Sequence, residues 1–228
     1  MKSIVVIIPA FNEENGIGEV IREIPKDLVT EVVVVNNAST DQTEKIANAA
    51  GATVLREPVS GYGRACLKGI DYLKNSPVQP DIVVFLDADH SDYPDEMRSL
   101  VLLIDEDKAD LVIGSRALGQ KEQGSMTPQQ IFGNWLATRL LKILYDVRFT
   151  DLGPFRAIRF ATLLELDMQD KTYGWTVEMQ LKAAKMGFQC REVPVRYRKR
   201  IGVSKISGTV KGTVMAGYKI IETIFKYL

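Results

Sequence analysis

The sequence predicts one α/β domain with a mostly parallel sheet and helices on both of its faces. Three observations carry this. Short continuous apolar runs, Ile4-Val5-Val6-Ile7-Ile8 and Ile82-Val83-Val84-Phe85-Leu86, mark strands buried on both sides. Between such runs, apolar residues recur at three- and four-residue spacing, as on an amphipathic helix. The two patterns alternate through the first half of the chain, as a parallel sheet with crossover helices requires.

In order, the first strand covers residues 4–8 and Pro9 ends it. Ile17, Val20, Ile21 and Ile24 form one face of a helix closed by Pro25. Four valines at residues 32–35 make the second strand. Asp41 and Glu44 give the next helix an acidic first turn, and Gly51 terminates it. A short strand at residues 53–55, the turn Gly61-Tyr62-Gly63 and a helix to about Leu73 lead to the strand at 82–86. Pro94 opens a helix with Met97, Leu100, Val101 and Ile104 on one face, and residues 111–113 form a further strand. After Ser115 the alternation stops. Residues 117–127 are polar and aperiodic, the pattern of a mobile loop. A helix carrying Ile131, Trp135, Leu140 and Leu144 follows, then Gly153-Pro154-Phe155 and a helix over residues 176–185 capped by Gly187. Val193, Val195 and Tyr197 alternate with Arg196, Arg198 and Arg200, which reads as a strand with one basic face. Val210, Val214, Tyr218, Ile221 and Phe225 mark a last amphipathic helix.

A chain of 228 residues with 46% hydrophobic and 25% charged side chains can bury a substantial core, which excludes the disordered and fibrous classes. Cys66 and Cys190 lack metal-ligand spacing and read as reduced packing residues of a cytoplasmic protein. No signal peptide precedes the first strand, and no apolar run approaches the roughly 18 residues of a spanning helix. The net charge is zero, but its distribution is uneven. From residue 189 onward nine bases face two acids, +7, leaving −7 elsewhere. The C-terminal part should therefore meet something anionic: a nucleic acid, a phosphate group or an anionic lipid surface. Because the bases at 196–200 are interleaved with a single aromatic, Tyr197, and the rest of the chain is acidic, nucleic acid is not expected as a partner.

Asp87-Ala88-Asp89 follows the apolar run at 82–86. Two carboxylates at the carboxyl end of a strand repel each other and suit a hard divalent cation holding a diphosphate; the alternative is two solvated acids in a βα loop. His90, the sole histidine, would point away from both acids on a strand-like segment.

In order, these motifs resemble the family two glycosyltransferases of the GT-A fold, and more narrowly the dolichyl- or polyprenyl-phosphate sugar synthases. The matching pieces are Pro9-Ala10-Phe11-Asn12-Glu13, Asn36-Asn37-Ala38-Ser39-Thr40-Asp41, Asp87-Ala88-Asp89, Gly114-Ser115-Arg116, Gly153-Pro154-Phe155-Arg156-Ala157 and Lys205-Ile206-Ser207. The resemblance implies a Rossmann-like nucleotide-sugar-binding half over residues 1–115, an acceptor-binding half over 116–207 and a C-terminal amphipathic helix over 208–228. The implied reaction moves a hexose, with inversion, from a nucleoside-diphosphate sugar to a polyprenyl phosphate.

The resemblance also implies residue roles. Pro9, Ala10, Phe11, Glu13, Asn36, Arg64, Asp87 and Ala88 would hold the nucleotide-sugar, with residues 9–13 at the pocket floor, where a strand end and a helix N-terminus present backbone N–H groups. Asp89, with Asp87 and Ser91, would hold Mg2+ or Mn2+. Ser91 stands where the family often has a longer Gln, so a water should complete the shell, and Asn36 stands where Asp is more usual. Arg116, Arg156, Arg198, Arg200 and Lys205 would clamp the acceptor phosphate, with Arg198 and Arg200 on one strand face. Asp89, Arg116 and Glu178 are the implied catalytic residues. A phosphate acceptor is largely dianionic, with a second pKa of about 6, and needs no general base; a hydroxyl acceptor would draw on Glu178 or Asp151. The final helix would lie on a membrane surface, pack on the core or form a homodimer contact, and the protein would work in the cytoplasm or at the cytoplasmic face of the membrane, alone or with a membrane partner protein. Two rivals are transfer to a sugar or other hydroxyl on the same fold, and a non-catalytic nucleotide-binding regulator at a membrane complex.

Overall fold

The computed structural model describes residues 2–202 and 210–228. Among these, seven strands form one sheet: β1 (Ile4–Ala10), β2 (Glu31–Asn37), β3 (Thr53–Glu57), β4 (Ile82–Phe85), β5 (Leu111–Ser115), β6 (Arg156–Arg159) and β7 (Cys190–Pro194), in the order β3-β2-β1-β4-β6-β5-β7. All pairs are parallel except those of β6, which runs antiparallel to β4 and β5. The helices are α1 (Ile17–Glu23), α2 (Thr43–Ala49), α3 (Tyr62–Lys74), α4 (Met97–Asp105), α5 (Pro128–Tyr145), α6 (Phe160–Glu165), α7 (Trp175–Lys185) and α8 (Val210–Lys226).

Side-chain alternation along the strands builds a core on each face of the sheet. Val5 and Ile7 of β1 join Phe85, Trp175 and Ile224 on one side. Ile4, Val6 and Ile8 join Ile17, Val20, Met97 and Leu100 on the other. Pro9 lies inside β1 rather than ending it. Its missing donor would point toward β4, whose pairing with β1 stops at Ile7, while Val35 of β2 flanks the other edge.

Three expectations for the second half change. The antiparallel β6 was not anticipated, because Arg156-Ala157-Ile158-Arg159 is too short to show a period. Residues 117–127 are not a free loop: Tyr197 N–H donates to the Gln120 carbonyl and its own carbonyl accepts from Glu122 N–H. The basic strand stops at Pro194, and beyond it Tyr197 makes only isolated bridges to Asp92 and Lys121. Chain beyond β1 leads outward to β2, whereas β4 stands on the opposite side. Strand order therefore reverses between β1 and β4, and ligands of open α/β sheets bind at the carboxyl ends of such neighbours.

Candidate active site

Two abutting cavities open where β1 and β4 end. The first, about 200 Å3, is lined by Pro9, Ala10, Phe11 and Glu13 after β1, by Asn37 and residues 60–62, and by Asp87, Ala88 and Asp89 after β4. Tyr173 and Arg200 close it. The second, about 300 Å3, lies between α5, α8 and residues 152–154 and holds Arg116, Asn134 and Tyr197. Tyr62, Asp87, Asp89, Tyr173 and Arg200 line both, so the two acids stand in a shared wall.

Local chemistry fixes that wall. Ser91 donates to Asp89 Oδ1 from its N–H at 2.9 Å and its hydroxyl at 2.5 Å. Asp89 Oδ2 faces Arg200 Nη1 at 3.0 Å, while Arg200 Nη2 reaches Glu13 Oε1 at 2.8 Å. The backbone of residues 88–89 packs against α1 with no space to spare: a Cβ on Gly16 would lie 2.7 Å from the Ala88 carbonyl oxygen. Asp87 is contacted by Tyr62 Oη at 3.3 Å. Burial first, and the Asp89 charge second, push the Asp87 carboxyl up to about 7. Behind it sits Asp92, also buried, with neither carboxylate oxygen hydrogen-bonded. Burial and the charges of Asp87 and Asp89 raise its pKa well above the ordinary range. The wall thus brings Asp87, Asp89 and Asp92 together, with Arg200 paired to Asp89, and a cationic ligand beside Asp87 would relieve their mutual repulsion.

Arg116 approaches from β5. Asp151 accepts from its backbone N–H and Nε at 2.8 Å and from Nη2 at 2.7 Å, and the guanidinium lies 5.1 Å from the Tyr197 ring centre. Although burial works the other way, the Arg116 charge and hydrogen bonds hold Asp151 below the usual carboxylate range. This fork holds Arg116 in the second cavity as a cation.

Several expected residues lie elsewhere. Arg156 is fully buried and donates to the main-chain carbonyls of Thr176, Leu152 and Gly153; burial lowers its pKa to about 10. It braces the floor under the site and lines neither cavity. Arg198 is drawn to Glu23 Oε2 at 2.6 Å and to the His90 carbonyl, because the chain leaves regular strand geometry after Pro194; it and Arg200 therefore do not address one site. Glu178 is fully buried and accepts from Gln169 N–H, Asp170 N–H, Lys182 and Tyr227, so it anchors the end of α8 instead of facing a ligand. Asn36 holds Glu44 and the Ser39 N–H, and its neighbour Asn37 lines the first cavity in its place. Arg64 lines neither cavity, and Ser91 is committed to Asp89. The N–H groups of Asn12, Glu13 and Glu14 are taken by Ser39, Thr43 and Asp41, so they do not form a bare anion cradle. His90, at positive φ, turns out to Glu23, which agrees with its expected direction. Lys205, with Ile206 and Ser207, lies outside the described residues.

Tyr62, Tyr173, Asn37 and Asp92 were missed. Tyr62 stood between two flagged glycines and Asp92 three residues past Asp89; either spacing was a usable signal.

The sequence profile of Glycosyl transferase family 2 matches residues 5–166. This chain belongs to glycosyl transferase family 2. It is 32% identical over 216 residues to an uncharacterized glycosyltransferase of Mycobacterium tuberculosis, covering 94% of each protein. It is 31% identical to the dolichyl-phosphate hexose transferase of Haloferax volcanii, covering 92% of this chain and 89% of that one. Among solved structures, glucosyl-3-phosphoglycerate synthase from M. tuberculosis in complex with Mn2+, UDP and phosphoglyceric acid matches with a TM-score of 0.79 at 22% identity, over 99% of this chain and 78% of that one. That likeness establishes the GT-A fold. This family 2 enzyme is a glycosyltransferase, and among its described residues no helix is long and apolar enough to cross a membrane.

Proposed function

We propose that this glycosyltransferase moves a hexose, with inversion, from a nucleoside-diphosphate sugar to a polyprenyl phosphate. The observation that carries the reading is the shared wall: the acids Asp87 and Asp89 stand between two cavities, and Arg116 and Arg200 present cations to the second. The first cavity takes the donor, with Phe11 offering an exposed aromatic face at its mouth and Asp87, Asp89 and Glu13 toward the diphosphate.

Among the described residues no group of three or more His, Cys, Asp or Glu forms a metal cage. The donor set fits a hard cation that brings phosphate oxygens with it, as Mg2+ typically does when held by one or two carboxylates. Asp89, with Asp87 beside it, would hold Mg2+ or Mn2+, which supplies charge neutralisation on the departing nucleoside diphosphate. Arg116, locked by Asp151, and Arg200 orient an anionic acceptor against the sugar from the second cavity. A phosphate dianion attacks without a base, and Asp151 and Glu178, two acids that could have served a hydroxyl acceptor, are both consumed by internal contacts. The likeness to a dolichyl-phosphate hexose transferase supports the same acceptor class.

The test has two steps. UDP, GDP and their sugars are screened by thermal shift with and without Mn2+, since a ligand of the folded state must raise its apparent stability. Transfer is then measured to a short-chain polyprenyl phosphate and to free glycans. A metal-dependent shift followed by transfer to the phosphate is expected; transfer only to glycans, or no shift with any donor, overturns the reading.

A further inference from the structure

In-line transfer fixes where the moving sugar has to stand. Its anomeric carbon is bonded to the departing nucleoside diphosphate on one side and approached by the acceptor on the other. The sugar therefore lies where the two cavities meet, against side chains that belong to both. Among the described residues these are Tyr62, Asp87, Asp89, Tyr173 and Arg200. Asp87 and Asp89 suit a cation, and Arg200 bridges Asp89 and Glu13. The two tyrosines have no such task.

Both are built into place. Tyr62 begins α3, with Gly61 before it and Gly63 after it. A Cβ on Gly61 would collide with the Lys171 carbonyl oxygen, and one on Gly63 with that of Asp170. Glycine on each side of Tyr62 thus lets residues 170–172 lie directly on that backbone. The contact is hydrogen-bonded: Gly63 N–H donates to the Thr172 carbonyl at 3.2 Å and Arg64 N–H to the Lys171 carbonyl at 3.1 Å. The next residue is Tyr173. Its loop is itself anchored, because the buried Glu178 carboxylate accepts from Gln169 N–H at 3.0 Å and Asp170 N–H at 2.7 Å. Asp170 Oδ1 in turn accepts from Thr172 N–H at 2.7 Å and Gly174 N–H at 3.1 Å. Tyr62 is held by its hydroxyl on Asp87 and by packing against the core. Two half-buried rings therefore reach the boundary from loops that are clamped to each other.

A hexose presents C–H groups edged with hydroxyls, and tyrosine matches it with an apolar face and a hydroxyl tip. A few such groups, rigidly placed, orient a ligand in a pocket and select it. We infer that Tyr62 and Tyr173 hold the transferred hexose between the two cavities and determine which sugar is accepted. The inference rests on the donor reading of the first cavity.

The experiment is calorimetry on the full chain with Mn2+, comparing each nucleoside diphosphate with its sugars: UDP with UDP-glucose and UDP-galactose, GDP with GDP-mannose and GDP-glucose. Tyr173→Ala should leave the affinity for the nucleoside diphosphate as in wild type. It should weaken binding of the preferred sugar nucleotide roughly tenfold, from the loss of one aromatic face, and the preference between hexoses on one nucleotide should shrink with it. In transfer assays the KM for the sugar nucleotide should rise by a similar factor, with that for a short-chain polyprenyl phosphate unchanged. Tyr173→Phe keeps the ring and should restore both values. Tyr62→Leu should lower the same ratio of sugar-nucleotide to nucleotide affinity, and taking the ratio cancels any change that the lost hydroxyl causes at Asp87. Nucleotide and sugar-nucleotide affinities that fall together in Tyr173→Ala overturn the inference and leave the donor reading standing, as does an unmoved ratio in both folded variants. A rise confined to the acceptor KM also overturns it and assigns the rings to the acceptor. Folded wild-type protein that binds no nucleotide removes the donor reading, and the inference with it.

Discussion

Arg200 occupies the position from which a divalent ion on Asp89 would have to be excluded or admitted, so its removal should strengthen metal binding. Its guanidinium holds Asp89 Oδ2 at 3.0 Å and Glu13 Oε1 at 2.8 Å, with the side chain 27% exposed. A doubly charged ion about 4 Å from this cation would meet repulsion of about 8 kcal/mol at an effective dielectric constant near 20. The two cannot share the carboxylate, and an incoming ion must first break the pair. Breaking one charged hydrogen bond costs about 1.5–3 kcal/mol; Arg200 is mostly shielded, so little of this is lost to solvent screening. Arg200→Met removes the competitor while keeping most of the side-chain volume. It should tighten Mn2+ binding to the nucleotide-free protein by roughly 10- to 100-fold. Titration calorimetry, or the spectroscopic signal of free Mn2+, reads this directly. Arg200→Lys should fall between the two, since a point charge cannot fork across Asp89 and Glu13. Turnover should fall in the same Met variant, because the second cavity loses a cation. An unchanged or weaker Mn2+ affinity in folded Arg200→Met would refute the competition.

Asp89→Asn should lose transfer activity and Mn2+ binding with the melting temperature nearly unchanged; activity that survives, or persists in chelator, removes the metal role. Gly16→Ala forces a methyl group to within 2.7 Å of the Ala88 carbonyl, and overpacking of this kind typically costs about 1–3 kcal/mol; denaturant melts and a weakened nucleotide shift would register it together. Asp151→Asn leaves buried Arg116 without its counter-charge and should cost about 3–5 kcal/mol. The folded carboxyl of Asp151 lies below its ordinary value of 3.8, so the stabilisation is fully present above that value and is lost as pH falls through the lower folded one. The gap between wild type and variant should therefore hold from neutrality to about pH 5 and close only in stronger acid; a gap that closed near neutrality would contradict the pairing.

The parts of this site that could be read from sequence are those set by local pattern. A strand buried on both faces has to be apolar throughout, so β1, β2 and β4 announced themselves, and the residues immediately after β1 and β4 landed in one cavity as the topology requires. What could not be read is how long, charged side chains are shared out. Arg156, Arg198 and Glu178 sit at motif positions as plausible as those of Arg116 and Arg200, yet each is consumed by a partner distant in sequence: Thr176, Glu23 and Tyr227. Nothing local distinguishes an arginine that will meet a ligand from one that will meet a carbonyl. The difference depends on whether the backbone nearby leaves acceptors unsatisfied, and that is decided only when remote segments pack. Arg156 joins a remote partner, the Thr176 carbonyl, to two near ones. The short antiparallel strand β6 ends a loop whose carbonyls at Leu152 and Gly153 have no strand partner in the sheet, and the guanidinium of the strand's first residue turns back to satisfy them. A motif arginine therefore supports the second cavity from beneath, where its removal would disturb the position of Leu152 and Pro154 in the cavity wall without removing any contact to a ligand.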